Sequence, residues 1–256
     1  MFKIFSPLEQ FELNNYLQIK LFDNSILTIS NFSFFLFLTI LIIFFLFKLN
    51  NKNIVPNNYS YLMESINATV INLLPNKLIK NNNILGKYYP LLYTIFVFIL
   101  ITNLIGLIPY SFAITAQLIF VLALSLTILT GSIILGFNLH YFKFFNLFVP
   151  NNTPLFLLPL IVIIEFISFF ARGLSLGIRL SANIIAGHLT LAIIGQLIYT
   201  FFYSNFSLIS NIIGLLPFSL LIAISLLEVA ISFIQTYVFT ILTTGFISDS
   251  INLHGE

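Results

Sequence analysis

The chemistry open to this chain is carried by a few polar side chains set in long apolar runs. Only two arginines occur, Arg172 and Arg179, and both fall within the apolar stretch 155–202, which also holds Glu165. Seven-residue spacings place Glu165, Arg172 and Arg179 in one row along a helix, drifting only about 20° per step. Ser175 and Asn183 stand four residues either side of Arg179, within about 40° of that row. A guanidinium cannot lose its proton, so an unpaired one is a permanent positive charge to which an anion can come and from which it can leave. Glu165 and Arg172 are separated by about 10.5 Å of helix rise, which predicts that direct pairing between them is strained. A purely structural, charge-balancing role for Arg172 competes with a functional one. For Arg179 that alternative is weaker, since no acid lies within two turns.

His188 is nine residues beyond Arg179, on the opposite side of the same predicted helix. Glu228 and Gln235 are seven apart on the last apolar run and share a face, with Ser232 between them. A lone histidine in an apolar helix is usually a packed core residue. Opposite an acid on a neighbouring helix, however, it becomes part of a pair able to pass protons within a membrane. Asn103, Gln117 and Gln196 read first as polar contacts between helices, Asn103 least securely.

The elements that must position these groups follow from composition. The chain has 256 residues, 59% hydrophobic and 7% charged, with a net charge of +2 and a mean hydropathy of +1.06. Soluble domains carry about a quarter charged residues, so this one cannot present a water-facing surface. A soluble enzyme and a nucleic-acid binder are excluded. With no cysteine, three histidines and eight scattered acids, no thiolate site or metal-ligand cluster is expected, and no cofactor. The reading is an all-α integral membrane protein with about five membrane helices and one interfacial amphipathic helix.

An N-terminal segment covers 1–25, and a first membrane helix 26–48, ended by Lys48. Residues 58–79 show a narrow apolar stripe (Tyr59, Leu62, Met63, Ile66, Val70), which suits a helix lying on the membrane surface; a helix packed on a soluble partner is the alternative. From Tyr88 to Phe142 there are 55 residues without Lys, Arg, Asp or Glu, a membrane hairpin with spans near 90–108 and 113–137. The runs 155–202 and 208–248 are each about twice as long as one upright crossing requires. Periodicity leaves open two long tilted helices or four short ones.

Lysines concentrate between the first and second spans and at Lys143. By the positive-inside rule, 48–89 and 138–154 face the compartment of synthesis and the N-terminus faces away. Five crossings return the C-terminus to the inside.

Several segments together resemble one family. Ser175-Leu-Gly-Ile-Arg179-Leu-Ser-Ala-Asn183-Ile-Ile-Ala-Gly187-His188 looks like the signature of subunit a of the F-type ATP synthase. Asn103-Leu-Ile-Gly106-Leu-Ile-Pro109-Tyr110, Ile164-Glu165-Phe-Ile-Ser168 and Gln235-Thr-Tyr237-Val-Phe239-Thr are similar to three further motifs of that family. The start Ser6-Pro-Leu-Glu-Gln-Phe-Glu12, together with 31 Phe and no Trp or Cys, resembles mitochondrial, fungal-type members.

The resemblance implies that Arg179 is the essential arginine facing the rotating c-ring. It implies two long, nearly in-plane helices over 155–250, and a proton path past Glu228, His188, Glu165, Asn183 and Gln235, with Arg172, Ser175 and Asn103 beside it. His188 and Glu228 stand exchanged relative to many bacterial members. A leader clipped before Ser6 would here have only five residues. Implied partners are the c-ring, the peripheral stalk, other membrane-sector subunits and lipid, cardiolipin among them. The implied location is the mitochondrial inner membrane, with the N-terminus in the intermembrane space and the C-terminus in the matrix. No Gly-rich phosphate loop is present, so ATP chemistry belongs to other chains.

Two other readings compete. A proton-relay subunit of a respiratory complex should carry mid-span lysines, and none occurs from 144 to 256. A Na⁺-coupled version of the same subunit is the other alternative, since ion choice lies mostly with the rotor.

Overall fold

The computed structural model describes residues 9–22, 25–48, 57–74, 82–108, 111–149, 156–204 and 208–251. The expected leader site before Ser6, the Pro109–Tyr110 turn and the 150–155 loop lie outside them. Among the described residues six α-helices follow a short β-hairpin: α1 (Asn31–Lys48), α2 (Asn58–Asn72), α3 (Asn82–Gly106), α4 (Leu118–His140), α5 (Leu158–Ser204) and α6 (Leu208–Ile251). All but α2 contain a stretch long and apolar enough to cross a membrane.

The open question about the last two runs resolves toward two continuous helices of 47 and 44 residues. At 1.5 Å per residue these are roughly 70 and 66 Å long, twice the hydrocarbon thickness, so neither can stand upright in a bilayer. Pro217 lies only ten residues into α6 and does not end it.

The first membrane helix departs from expectation. Residues 26–30 are not helical: β1 (Asn15–Phe22) pairs antiparallel with β2 (Ser25–Ser30), Ile19 opposite Leu27 and Asn15 opposite Ser30. The stretch Ser25-Ile-Leu-Thr-Ile-Ser30 is β-branched and short. An apolar run of that length does not distinguish a strand from the start of a helix. The helix begins where Ser30 and Ser33 bond reciprocally across its first turn, Ser30 N–H to Ser33 Oγ at 3.0 Å and Ser33 N–H to Ser30 Oγ at 3.5 Å. The N-terminal segment is thus partly a hairpin, a small addition to an all-α membrane fold. The third span likewise starts later than 113, at Leu118, after a single 3₁₀ turn at Ile114–Ala116.

The chain divides into two compact units through which the long elements pass. The first comprises Met1–Phe44, Phe98–Gln117 and Leu180–Gln235. Its buried residues include Ile99, Thr102, Asn103, Phe112, Ile114, Leu180, Ser181 and Ile184. Here α1 turns Phe34, Phe37, Ile40, Leu41 and Phe44 outward, as lipid demands, and buries only Thr39.

The second unit comprises Phe45–Val97, Leu118–Arg179 and Thr236–Glu256. In it, α2 buries Ser60, Met63 and Val70, while Tyr59, Tyr61 and Leu62 stay exposed. Asn67 Oδ1 accepts from Tyr89, and Tyr93 donates to Met63 Sδ at 3.7 Å. Helix α5 rests on α4 through its glycines: a Cβ on Gly173 would collide with the fully buried Leu129, and one on Gly177 would sit 2.5 Å from Ser125 Oγ. Small residues of this kind let helix backbones approach closely where no hydrophobic force between helices exists. Phe169 packs edge-on against Phe148 and Phe246, and Phe239 is fully buried. His140 at the end of α4 bonds the Ile251 carbonyl at 2.9 Å, closing the last turn of α6. The α6 hydroxyls satisfy themselves: Thr240, Thr243, Thr244 and Ser250 each donate to a carbonyl three residues back.

Candidate functional site

The Gly173–Gly177 face that pins α5 to α4 decides where its charges go. Gly173, Leu176, Gly177 and Leu180 are buried, so Arg172, Ser175 and Arg179, on the other side of the helix, are exposed. Within the second unit they line a groove of about 430 Å³ with Ser168, Ala171, Val238, Ile241 and Leu242. The groove is apolar apart from these residues, an arrangement that only a covering partner or a water path makes tolerable in a membrane.

The two arginines differ in their partners. Arg172 Nη2 lies 3.4 Å from Glu165 Oε1, so the two side chains meet across the seven-residue separation at the long end of hydrogen-bond range. The long side chains, lying along the helix surface, cover the rise that the backbone cannot. Arg179 Nη2 reaches only the Ser175 hydroxyl, at 3.3 Å. Among the described residues no carboxylate lies within salt-bridge distance of it. Arg172 therefore has an acidic partner within the chain, and Arg179 has none among the described residues.

The second cluster lies in the first unit. Glu228 is buried on α6, and His188 and Asn183 stand on α5. All three line a cavity of about 220 Å³, with Leu107, Ile184, Gly187, Thr190 and Ile231. Gly187 makes room for the acid: a Cβ there would sit 2.7 Å from Glu228 Oε1. Asn183 Nδ2 donates to Gln235 Oε1 at 3.2 Å, tying α5 to α6 beside the cavity. Glu228 Oε1 and His188 Nε2 are buried without a hydrogen-bond partner among the described residues. Two such atoms on the wall of one cavity leave a proton or water the chemistry it needs, since each can accept and, once protonated, donate. Asn103 is fully buried in the same unit and does not line the cavity.

The sequence-predicted residues thus form two groups, Glu165, Arg172, Ser175 and Arg179 in one unit and Asn183, His188, Glu228 and Gln235 in the other. Sequence reasoning missed Phe11, whose ring meets His188 edge-on at 6.1 Å between centroids, and Gln117, whose Nε2 donates to the Phe11 carbonyl at 2.9 Å. No periodicity links residue 11 to residue 188, so no local signal could have found that contact. Gln117 was legible only as a generic helix contact. Gly187 was legible within its motif, but its role as the seat of Glu228 was not.

A family model described as ATP synthase A chain matches residues 31–248. The chain is 54% identical over 258 residues to ATP synthase subunit a of Schizosaccharomyces pombe, covering 98% of this chain and 99% of that one. It is 44% identical to the subunit of the same name from Neurospora crassa (98% and 96% covered) and 42% to that from Saccharomyces cerevisiae (98% and 97%). A match of this extent embraces both clusters and every membrane helix, and the chain belongs to the ATP synthase A chain family, in its fungal form.

Proposed function

We propose that Arg179 faces the ionisable carboxylate of the rotating c-ring, and that two offset half-channels lead to that point from opposite sides of the membrane. The chain is the proton-translocating stator subunit of the ATP synthase membrane sector, a multi-pass inner-membrane protein assembled with the c-ring and other subunits of that sector. The site assignment rests on one observation above all: of two exposed arginines on the same helix face, one is paired with Glu165 and the other has no carboxylate partner among the described residues.

On this reading a proton enters the buried Glu228–His188 cavity and passes to a c-ring carboxylate. The neutral rotor site can then move through lipid, where a charged one could not. After nearly a full turn the site returns to Arg179, whose fixed charge favours the ionised carboxylate and expels the proton into the second half-channel, past Glu165 and Ser175. Asn183 and Gln235 hold α5 and α6 together beside the Glu228–His188 cavity. The same guanidinium repels hydronium and so blocks a direct leak. Each proton releases about 2.3 kcal/mol per 100 mV of membrane potential. Lysine placement supports an N-terminus in the intermembrane space and a C-terminus in the matrix, and a basic matrix face would suit anionic lipid such as cardiolipin. The peripheral stalk holds the subunit against rotation.

Arg179→Ala tests the reading. Coupled ATP synthesis in membrane vesicles should be abolished with assembly intact, and Arg179→Lys should retain little of it, because a desolvated lysine can lose its proton. Near-normal coupled synthesis in the alanine variant would refute the role.

A further inference from the structure

Phe11 precedes every membrane helix in the sequence, yet it lies against His188 of the proposed proton path. Its ring is perpendicular to the His188 imidazole (88° between planes) and packs on the buried cluster Ala113, Ala116 and Ile184. Its carbonyl is held by Gln117, the residue directly before α4. Contacts to two segments, 113–117 and α5, thus hold the end of the short 3₁₀ turn Glu9–Phe11, its carbonyl by Gln117 and its ring by His188 and the apolar cluster.

The consequence falls on His188. The Gly106 backbone lies beside the imidazole, and Phe11 covers a further part of its surroundings. A phenyl ring offers no hydrogen bond, so the polar surroundings left to the buried Nε2 are those of the cavity that His188 shares with Glu228. Edge-to-face aromatic geometry also restricts ring rotation, which a plain aliphatic neighbour would not do to the same degree.

We propose that Phe11 is a positioning residue for His188: its ring, carried on a backbone that Gln117 anchors, orients the imidazole toward the Glu228 cavity and thereby sets the rate of proton entry. The proposal rests on His188 belonging to the proton path.

The test uses the assembled synthase in membrane vesicles, with proton flux at fixed potential as readout and assembly measured alongside. An aromatic pair of this kind corresponds to roughly a 2- to 12-fold effect. Phe11→Ala should therefore lower flux by about 3- to 10-fold, and Phe11→Tyr, which keeps the aromatic ring, should restore most of it. Gln117→Leu should give a smaller loss in the same direction; it keeps the proposal testable if Phe11→Ala fails to assemble. In a His188→Ala background, Phe11→Ala should cost nothing further. An unchanged flux in both the Phe11→Ala and Gln117→Leu variants, or the same fold-loss with and without His188, would overturn the proposal. Undiminished flux in His188→Ala alone would instead refute the relay reading on which the proposal stands.

Discussion

Replacing Gly187 by alanine puts one methyl group into the candidate proton cavity. The new Cβ would lie 2.7 Å from Glu228 Oε1, 3.0 Å from its Cδ and 3.2 Å from its Cγ. Ordinary contact begins at 3.4 Å, so the carboxylate must retreat by about 0.7 Å, and because the stem is crowded as well, the whole side chain must swing. Alanine itself favours helix by about 1 kcal/mol over glycine. Relieving the overlap in a packed site costs about 1–3 kcal/mol, so folding should change little. Function should change more, since a misplacement of about 1 Å at a reacting group can cost roughly 100-fold. Proton flux in vesicles should fall by about 10- to 100-fold with the subunit still assembled. Adding Glu228→Asp withdraws the carboxyl by about one methylene and should recover part of the flux lost in Gly187→Ala. Normal flux in the single variant, or a double variant worse than either single one, would refute the geometry.

Further outcomes follow from the packing. Gly173→Ala should lower the thermal midpoint of the purified membrane sector by a few degrees, because Leu129 must leave its buried rotamer at a cost of about 1–3 kcal/mol that helix propensity only partly offsets; a raised midpoint would contradict the close α4–α5 approach. A double-mutant cycle with Asn183→Leu and Gln235→Leu should give a coupling of about 0.6 kcal/mol in unfolding free energy, the usual size for such a bond in a membrane, and strictly additive effects would show that the 3.2 Å contact does not hold the helices together.

The sequence revealed the arginine row because two guanidiniums in an apolar stretch have no ordinary explanation, and seven-residue spacing is a face in any helix. It left the length of α5 and α6 open because periodicity says nothing about where a helix stops when no glycine or proline acts as a terminator. Pro217, near the start of α6, is tolerated by the helix it might have ended. Whether Arg172 meets Glu165 is not legible from backbone rise alone, because side-chain reach decides the distance. The hairpin Asn15–Ser30 was hidden because its second strand is apolar and runs straight into α1. The seat of Glu228 on Gly187 and the contact of Phe11 with His188 join residues 41 and 177 positions apart, and only tertiary packing brings such residues together.

The central claim is that Arg179 keeps its charge for a carboxylate on another protein. A density map of the assembled membrane sector, fine enough to place side chains at the boundary between this subunit and the c-ring, tests it most directly. The account predicts that the acid nearest the Arg179 guanidinium belongs to a c-ring helix, with Arg172 still held by Glu165. A map in which Arg179 is bonded to a carboxylate of its own chain, or turned toward lipid phosphates, would contradict it.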